Sequence, residues 1–156
     1  MIEKVVSGGQ TGADRAGLDA AMESGIPVGG YCPKGRLAED GTVPDCYPLT
    51  ELTKGGYSAR TEKNVVESDG TLILNMGKLS GGTRLTAECA RKHGKRYLLV
   101  QLDAEPRMEC VLNWVKENNI RTLNIAGPRE SKHPGGIYQQ AANYLRHLFA
   151  SLKEDA

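Results

Sequence analysis

Two glycine-rich loops and one shorter loop carry the residue types best suited to hold an anion. The first loop, residues 7–14, reads SGGQTGAD and joins a short apolar run to an alanine-rich segment. The second covers residues 77–84 (GKLSGGTR), and the third, residues 126–131 (AGPRES), follows another apolar run. Backbone N–H groups at a helix N-terminus, directed out of a glycine turn, bind phosphate groups well. The three loops therefore predict a site for a phosphorylated small molecule.

The first loop lacks the known nucleotide fingerprints. Aligned on Gly9 and Gly12, the G-x-G-x-x-G pattern has Ser7 in place of its first glycine. Residues 31–33, Tyr-Cys-Pro, supply no acidic group for a ribose, and no Gly-Lys-Ser/Thr follows for a P-loop. Asp14 then has two interpretations, a helix cap or a contact to the ligand.

The predicted ligand-binding residues come from the three loops and from basic residues near them. For Arg15 and Arg60, a solvated helix charge is the alternative, and for the glycine loops a pair of plain turns. The full predicted set is Gly8, Gly9, Gln10, Thr11, Gly12, Asp14, Arg15, Lys34, Arg36, Arg60, Gly77, Ser80, Gly81, Gly82, Thr83, Arg84, Gly127 and Arg129.

Composition narrows the classes of partner. The chain has 156 residues, 39% hydrophobic and 25% charged, with a net charge of +1, which predicts one domain and argues against nucleic-acid or membrane partners. The N-terminus lacks the apolar region of a signal peptide, so a cytoplasmic location is expected. The four cysteines form no metal-ligand spacing with the three histidines, and we predict structural thiols and no metal site.

Strand-like and helix-like segments alternate along the chain. Strands are predicted at 4–6, 26–31, 47–52 (an edge strand), 71–75, 97–102 and 121–126. Helices are predicted at 13–24, 59–68 and 83–93, from Pro106 onward, and at 134–152, with a frayed tail at 153–156. Such alternation is typical of an α/β domain with a doubly wound, mostly parallel Rossmann-like sheet of five to six strands and helices on both faces. The strand order 3-2-1-4-5-6 would make strands one and four neighbours, with the first two loops at the switch point between them.

Four segments resemble the molybdenum-carrier family. They are SGGQTGADRAGLDAA, RTEKNVVESDGTLIL, GGTRLTAECA and LNIAGPRES, the last followed by Pro-Gly-Gly-Ile. That family is similar to a wider Rossmann-like group that includes the lysine-decarboxylase-like phosphoribohydrolases and the DNA-processing protein DprA. The resemblance implies a carrier for molybdenum cofactor or a related pterin or nucleotide, without catalytic residues. It also implies a homo-oligomer, and Tyr138, Tyr144 and Phe149 add apolar circumference to the last helix.

The alternative function is hydrolysis of a nucleotide at its N-glycosidic bond. The phosphoribohydrolases carry the signature PGGxGTxxE, in which Gly81, Gly82 and Glu88 of this chain match the two leading glycines and the glutamate. Ser80, Arg84 and Leu85 replace its proline, third glycine and threonine. Under this alternative, Glu88 and Arg84 are the catalytic candidates.

Overall fold

The computed structural model describes residues 1–104 and 108–154. Pro106, predicted to open a helix, lies outside these ranges, as do residues 155–156 of the predicted tail. Lys153 and Glu154 belong to the last helix, which therefore extends beyond the predicted end at residue 152. Within the described ranges, no helix is both long and apolar enough to cross a membrane.

A five-stranded parallel sheet forms the centre of the molecule, with the strand order β2-β1-β9-β7-β8. Its members and four short outlying strands are β1 (Lys4–Val6), β2 (Val28–Gly29), β3 (Tyr31–Cys32), β4 (Leu37–Ala38), β5 (Gly41–Thr42), β6 (Thr50–Glu51), β7 (Gly70–Asn75), β8 (Arg96–Gln101) and β9 (Thr122–Ala126). The helices are α1 (Ala13–Glu23), α2 (Tyr57–Glu67), α3 (Gly81–Lys92), α4 (Met108–Glu117) and α5 (Tyr138–Glu154). The predicted doubly wound α/β fold is confirmed.

The two faces of the sheet differ in polarity. Helices α1, α4 and α5 pack on one face over the main apolar cluster, which includes Val5, Leu72, Leu123 and Phe149. Helices α2 and α3 pack together on the other face, where the apolar cluster is small and is centred on Val65. Stability therefore comes mainly from the first face, and polar groups are concentrated on the second.

The predicted strand order is wrong, because the last strand lies in the middle of the sheet. Strand β9 pairs with β1 through Val5 and Leu123 and with β7 through Ile73 and Ala126. The first and fourth predicted strands are therefore separated by β9. The loop that follows β9 enters the centre of the C-terminal sheet edge, between the two glycine-rich loops.

Two other predicted strands are shorter in the structure. The segment predicted at 26–31 is interrupted at Gly30, where φ is +116°, so β2 joins the central sheet and β3 does not. The segment predicted at 47–52 is reduced to β6, which pairs with β3 outside the central sheet.

The last helix begins at Tyr138, four residues after the predicted start, because residues 134–137 form a turn before it. Its aromatic residues do not form a second apolar face. Phe149 is fully buried and Tyr144 nearly so, both within the main core. Tyr138 donates a hydrogen bond from its hydroxyl group to Asp19 on α1. These residues therefore stabilise the fold of the single chain.

Glycines make the insertion of β9 possible. A Cβ atom on Gly17 of α1 would lie 2.7 Å from Cβ of Ile125, so the helix lies directly on β9. A Cβ atom on Gly12, where φ is +83°, would lie 2.5 Å from the carbonyl oxygen of Pro128. At Gly127 it would overlap the carbonyl oxygen of Leu74. The absence of side chains at these positions lets three backbone segments meet around β9.

We expect Gly127→Ala to destabilise the fold, because the added methyl group has no room. Overpacking of this kind costs about 1–3 kcal/mol in the free energy of unfolding. Gly82→Ala is the matched control, since its Cβ would meet no atom within 4 Å. Urea denaturation should place only the Gly127 variant below wild type, and equal midpoints for both variants would contradict the close packing at β9.

Candidate functional site

A cavity of about 340 Å³ lies at the C-terminal edge of the central sheet, between β1, β7 and β9 and the two helices α2 and α3. This volume is within the range of ordinary small-molecule sites. Ten of the predicted residues line it, and they come from all three predicted loops and from α2. They are Gly8, Gln10, Asp14, Arg60, Ser80, Gly81, Gly82, Thr83, Gly127 and Arg129.

The remaining predicted residues lie outside the cavity lining. They are Gly9, Thr11, Gly12, Arg15, Lys34, Arg36, Gly77 and Arg84. Two of their arginines are engaged in structural contacts: Arg15 forms a salt bridge with Asp40 at 2.6 Å, and Arg36 donates to four backbone carbonyls between Val43 and Leu49. Lys34 is exposed in a short 3₁₀ turn.

The glycines of the first loop face other parts of the protein. A Cβ on Gly8 would overlap the side chain of Arg60. At Gly9, where φ is +76°, it would lie 2.7 Å from Cδ1 of Leu49 and 3.0 Å from Cγ1 of Val43. The atoms that approach this loop so closely therefore belong to other parts of the chain. The loop forms a wall of the cavity and is not an open anion-binding loop.

The second loop faces open space at the N-terminus of α3. A Cβ on Gly82 would meet nothing within 4 Å, and one on Gly81 would lie 3.4 Å from Nζ of Lys132. The side chain of Ser80, at the N-cap, makes no capping hydrogen bond. Lys78 and Lys132 line the cavity, and neither forms a salt bridge within the described ranges. The first turn of α3 therefore combines free backbone N–H groups with two cations, as an anion site requires.

A buried ion pair joins the first loop to α2. Nη1 of Arg60 lies 3.5 Å from Oδ2 of Asp14 and donates a hydrogen bond to the carbonyl oxygen of Gly8 at 3.1 Å. The backbone N–H of Gln10 donates to Oδ2 of Asp14 at 3.2 Å. Burial raises the pKa of Asp14 to about 6, although Arg60 and the backbone N–H groups oppose the shift. Asp14 thus accepts the N–H of Gln10 in the turn and lies beside Arg60. No side chain caps α1, so the helix-cap interpretation is wrong, and a contact of Asp14 to a ligand stays a prediction.

Amide side chains in the cavity wall are fixed by their protein partners. Oε1 of Gln10 accepts hydrogen bonds from the backbone N–H groups of Thr11 and Glu39, so its amino group is left for the cavity. Asn75 donates to the carbonyl oxygen of Gly77, and Asn124 donates to the hydroxyl of Thr71. Both asparagines line the cavity and are almost fully buried.

Sequence reasoning missed Asn75, Asn124 and Lys132. The available signal for the asparagines was a polar residue within the otherwise apolar strand segments TLILN and LNIA. Lys132 comes next to Gly81 only because β9 lies in the middle of the sheet, so no local pattern could identify it.

The donor set of the cavity does not resemble a metal centre. No cysteine is among its lining residues, and the two described buried cysteines, Cys32 and Cys89, lie elsewhere. Across residues 1–104 and 108–154, no three His, Cys, Asp or Glu side chains form a potential metal site. The cavity offers amide, hydroxyl, ammonium and guanidinium groups, together with the carboxylate of Asp14 and the imidazole of His133.

We expect the free energy of unfolding to depend on pH because of Asp14, and Asp14→Asn should remove this dependence. Because its folded pKa of about 6 exceeds the unfolded value of 3.8, its contribution to stability is complete below pH 3.8 and is lost as the pH rises through 6. The difference between the folded and unfolded pKa values corresponds to roughly 3 kcal/mol in the free energy of unfolding. Urea denaturation from pH 4 to pH 7 should show the free energy of unfolding of wild type falling by about this amount relative to Asp14→Asn. Parallel curves for the two proteins would contradict the raised pKa.

Comparisons with known proteins give the family. A crystal structure from Syntrophus aciditrophicus SB, named "Putative molybdenum carrier protein", is 49% identical, with a TM-score of 0.87 over 95% of this chain and 94% of that one. A Danio rerio protein named "Ester hydrolase C11orf54 homolog" is 36% identical over 83 residues, which are 53% of this chain but 24% of that protein. The model of the circularly permutated YpsA SLOG family matches residues 5–149. The chain belongs to the circularly permutated YpsA SLOG family.

Proposed function

We propose that this protein binds a phosphorylated small molecule in the cavity and acts as a carrier. The observation that supports this most directly is the first turn of α3, which faces open space beside Lys132 and Lys78. The dipole of a twelve-residue helix favours an anion at this end. Arg129, at the third loop, also lines the cavity, and its Nε lies 3.7 Å from Oε1 of Glu39, which offsets its charge.

Molybdenum cofactor, or a related pterin or nucleotide, is the proposed ligand. The name of the Syntrophus protein supports a molybdenum-containing cargo in the family. The lining fits the organic part of such a cargo, because it offers a phosphate site and several buried amide groups. Since no cysteine lines the cavity, the protein would hold the phosphate and the heterocycle, and the metal would enter as part of the cargo.

The position of Glu88 favours binding over hydrolysis. This glutamate is exposed on α3, and its Oε1 lies 3.1 Å from Nε of Arg84, one helical turn earlier. Neither residue lines the cavity. A carboxylate that assists departure of a base must lie within hydrogen-bond reach of the reacting group. Asp14, the carboxylate that does line the cavity, is engaged by Arg60 and by the backbone N–H of Gln10.

Gly82→Val should weaken binding of inorganic phosphate at least tenfold and leave the fold intact. Gly82 lies outside the left-handed region and a Cβ there meets no neighbour, so valine is tolerated but covers the N–H groups of the first turn. Isothermal titration with phosphate at low ionic strength measures the change. The control Glu88→Ala, on the same helix but outside the lining, should bind as wild type does; equal affinities for all three proteins would contradict the site.

Wild-type protein should release no free base from AMP, IMP or GMP, and Glu88→Ala should keep ligand affinity within a few-fold. The reason is that the Arg84–Glu88 pair lies on the surface, where it can neither contact a sugar nor donate a proton to a leaving base. Chromatography of the reaction mixture detects the base. Multiple turnover by wild type that is lost in Glu88→Ala would contradict the carrier function and support the hydrolase function.

A further inference from the structure

The inner wall of the cavity is formed by neutral amide side chains on one face of two neighbouring strands. Asn124 of β9 is in register with Thr71 of β7, and Asn75 lies four residues further along β7 on the same face. At about 3.3 Å per residue, the two asparagines lie roughly 13 Å apart along the strands. Asn75 is the last residue of β7, before the loop to α3, whereas Asn124 lies within β9, further from the C-terminal edge of the sheet.

The hydrogen bonds of these residues leave the side-chain oxygen of each asparagine for a ligand. Nδ2 of Asn75 donates to the carbonyl oxygen of Gly77 at 2.9 Å, and Nδ2 of Asn124 donates to Oγ1 of Thr71 at 3.2 Å. For neither Oδ1 atom does the described part of the chain provide a donor. Among the described residues, the Tyr144 hydroxyl is the buried side-chain atom without a partner, so the two Oδ1 atoms are accessible from the cavity and can accept from water or a ligand.

Three of the neighbouring polar groups are engaged with other partners. The hydroxyl of Thr86 donates to the carbonyl oxygen of Gly82 at 2.9 Å. Both polar atoms of the Asn64 amide bond to the backbone of Tyr31. The charge of Arg60 is offset by Asp14. Within residues 1–104 and 108–154, a positive charge without a salt-bridge partner is instead found beside α3, where Lys132 approaches Gly81.

We propose that Asn124 is a specificity-determining residue, whose Oδ1 accepts a hydrogen bond from an amino or ring N–H group of a neutral heterocycle, with Asn75 as a second acceptor nearer the cavity mouth. This inference rests on the proposed function, because the phosphate at α3 sets the direction in which the rest of the ligand enters. The substrate class is a phosphorylated nitrogen heterocycle with an amino group. A ligand that carries a second negative charge at this position is disfavoured, since it would face the carbonyl oxygen of the amide.

Three nucleotides that differ at one position test the proposal. GMP carries an amino group at position 2 of its base, IMP carries hydrogen there, and XMP carries a carbonyl oxygen. Wild type should bind GMP about tenfold more tightly than IMP, as one added hydrogen bond to a buried acceptor predicts, and XMP most weakly. Asn124→Leu should bring GMP and IMP within twofold of each other.

Two further variants separate specificity from folding. Asn124→Asp keeps an acceptor in place and should retain the preference for GMP, whereas Asn113→Leu, at an exposed site on α4 outside the cavity, should change nothing. If wild-type protein binds phosphate but binds GMP and IMP equally, or binds neither, this inference is overturned and the proposed function stands. If wild-type protein fails to bind inorganic phosphate, the proposed function itself is overturned.

Discussion

The buried pair of Asp14 and Arg60 is the interaction on which the architecture of the site depends. It connects the turn after β1 to α2, two elements that are distant in sequence, and it holds the guanidinium group directly over Gly8. Arg60 donates to the carbonyl oxygen of Gly8 whether or not Asp14 is ionised, so the connection between α2 and the first loop persists when Asp14 is protonated. Through this pair, helix α2 is held against the first loop while the cavity stays open between α2, α3 and the sheet.

The fold tolerates a buried polar site because the polar groups are confined to one face of the sheet. The face covered by α1, α4 and α5 buries the large apolar side chains and supplies most of the hydrophobic stabilisation. The face covered by α2 and α3 can then contain Asn75, Asn124 and Thr86 around a cavity. The same strands serve both purposes, since alternate residues of β7 point to opposite faces.

The sequence predicts the elements far better than their arrangement. Apolar runs and small-residue periodicity locate the main strands and helices, but β9 has the same apolar pattern whether it lies at the edge or in the centre of the sheet. The predicted strand order is wrong because β9, the last strand in the chain, lies in the middle of the sheet. The family is described as circularly permutated, a term that refers to the order of segments along the chain. Glycines present the same difficulty: Gly9 and Gly82 look alike in sequence, yet one faces Leu49 and the other faces open space. Only the packing of the distant segments distinguishes them.

The separation of charge from hydrogen-bonding groups gives the site two independent properties. Lys78 and Lys132 are exposed residues, so their attraction for an anion is screened by salt within about 8 Å at physiological ionic strength. Asn75 and Asn124 are buried and neutral, so their hydrogen bonds are insensitive to salt. Salt should therefore change how tightly and how fast a ligand binds without changing which ligand is preferred. Under the proposed carrier function, the exposed lysines would allow capture and release, while the buried amides would keep the choice of cargo constant.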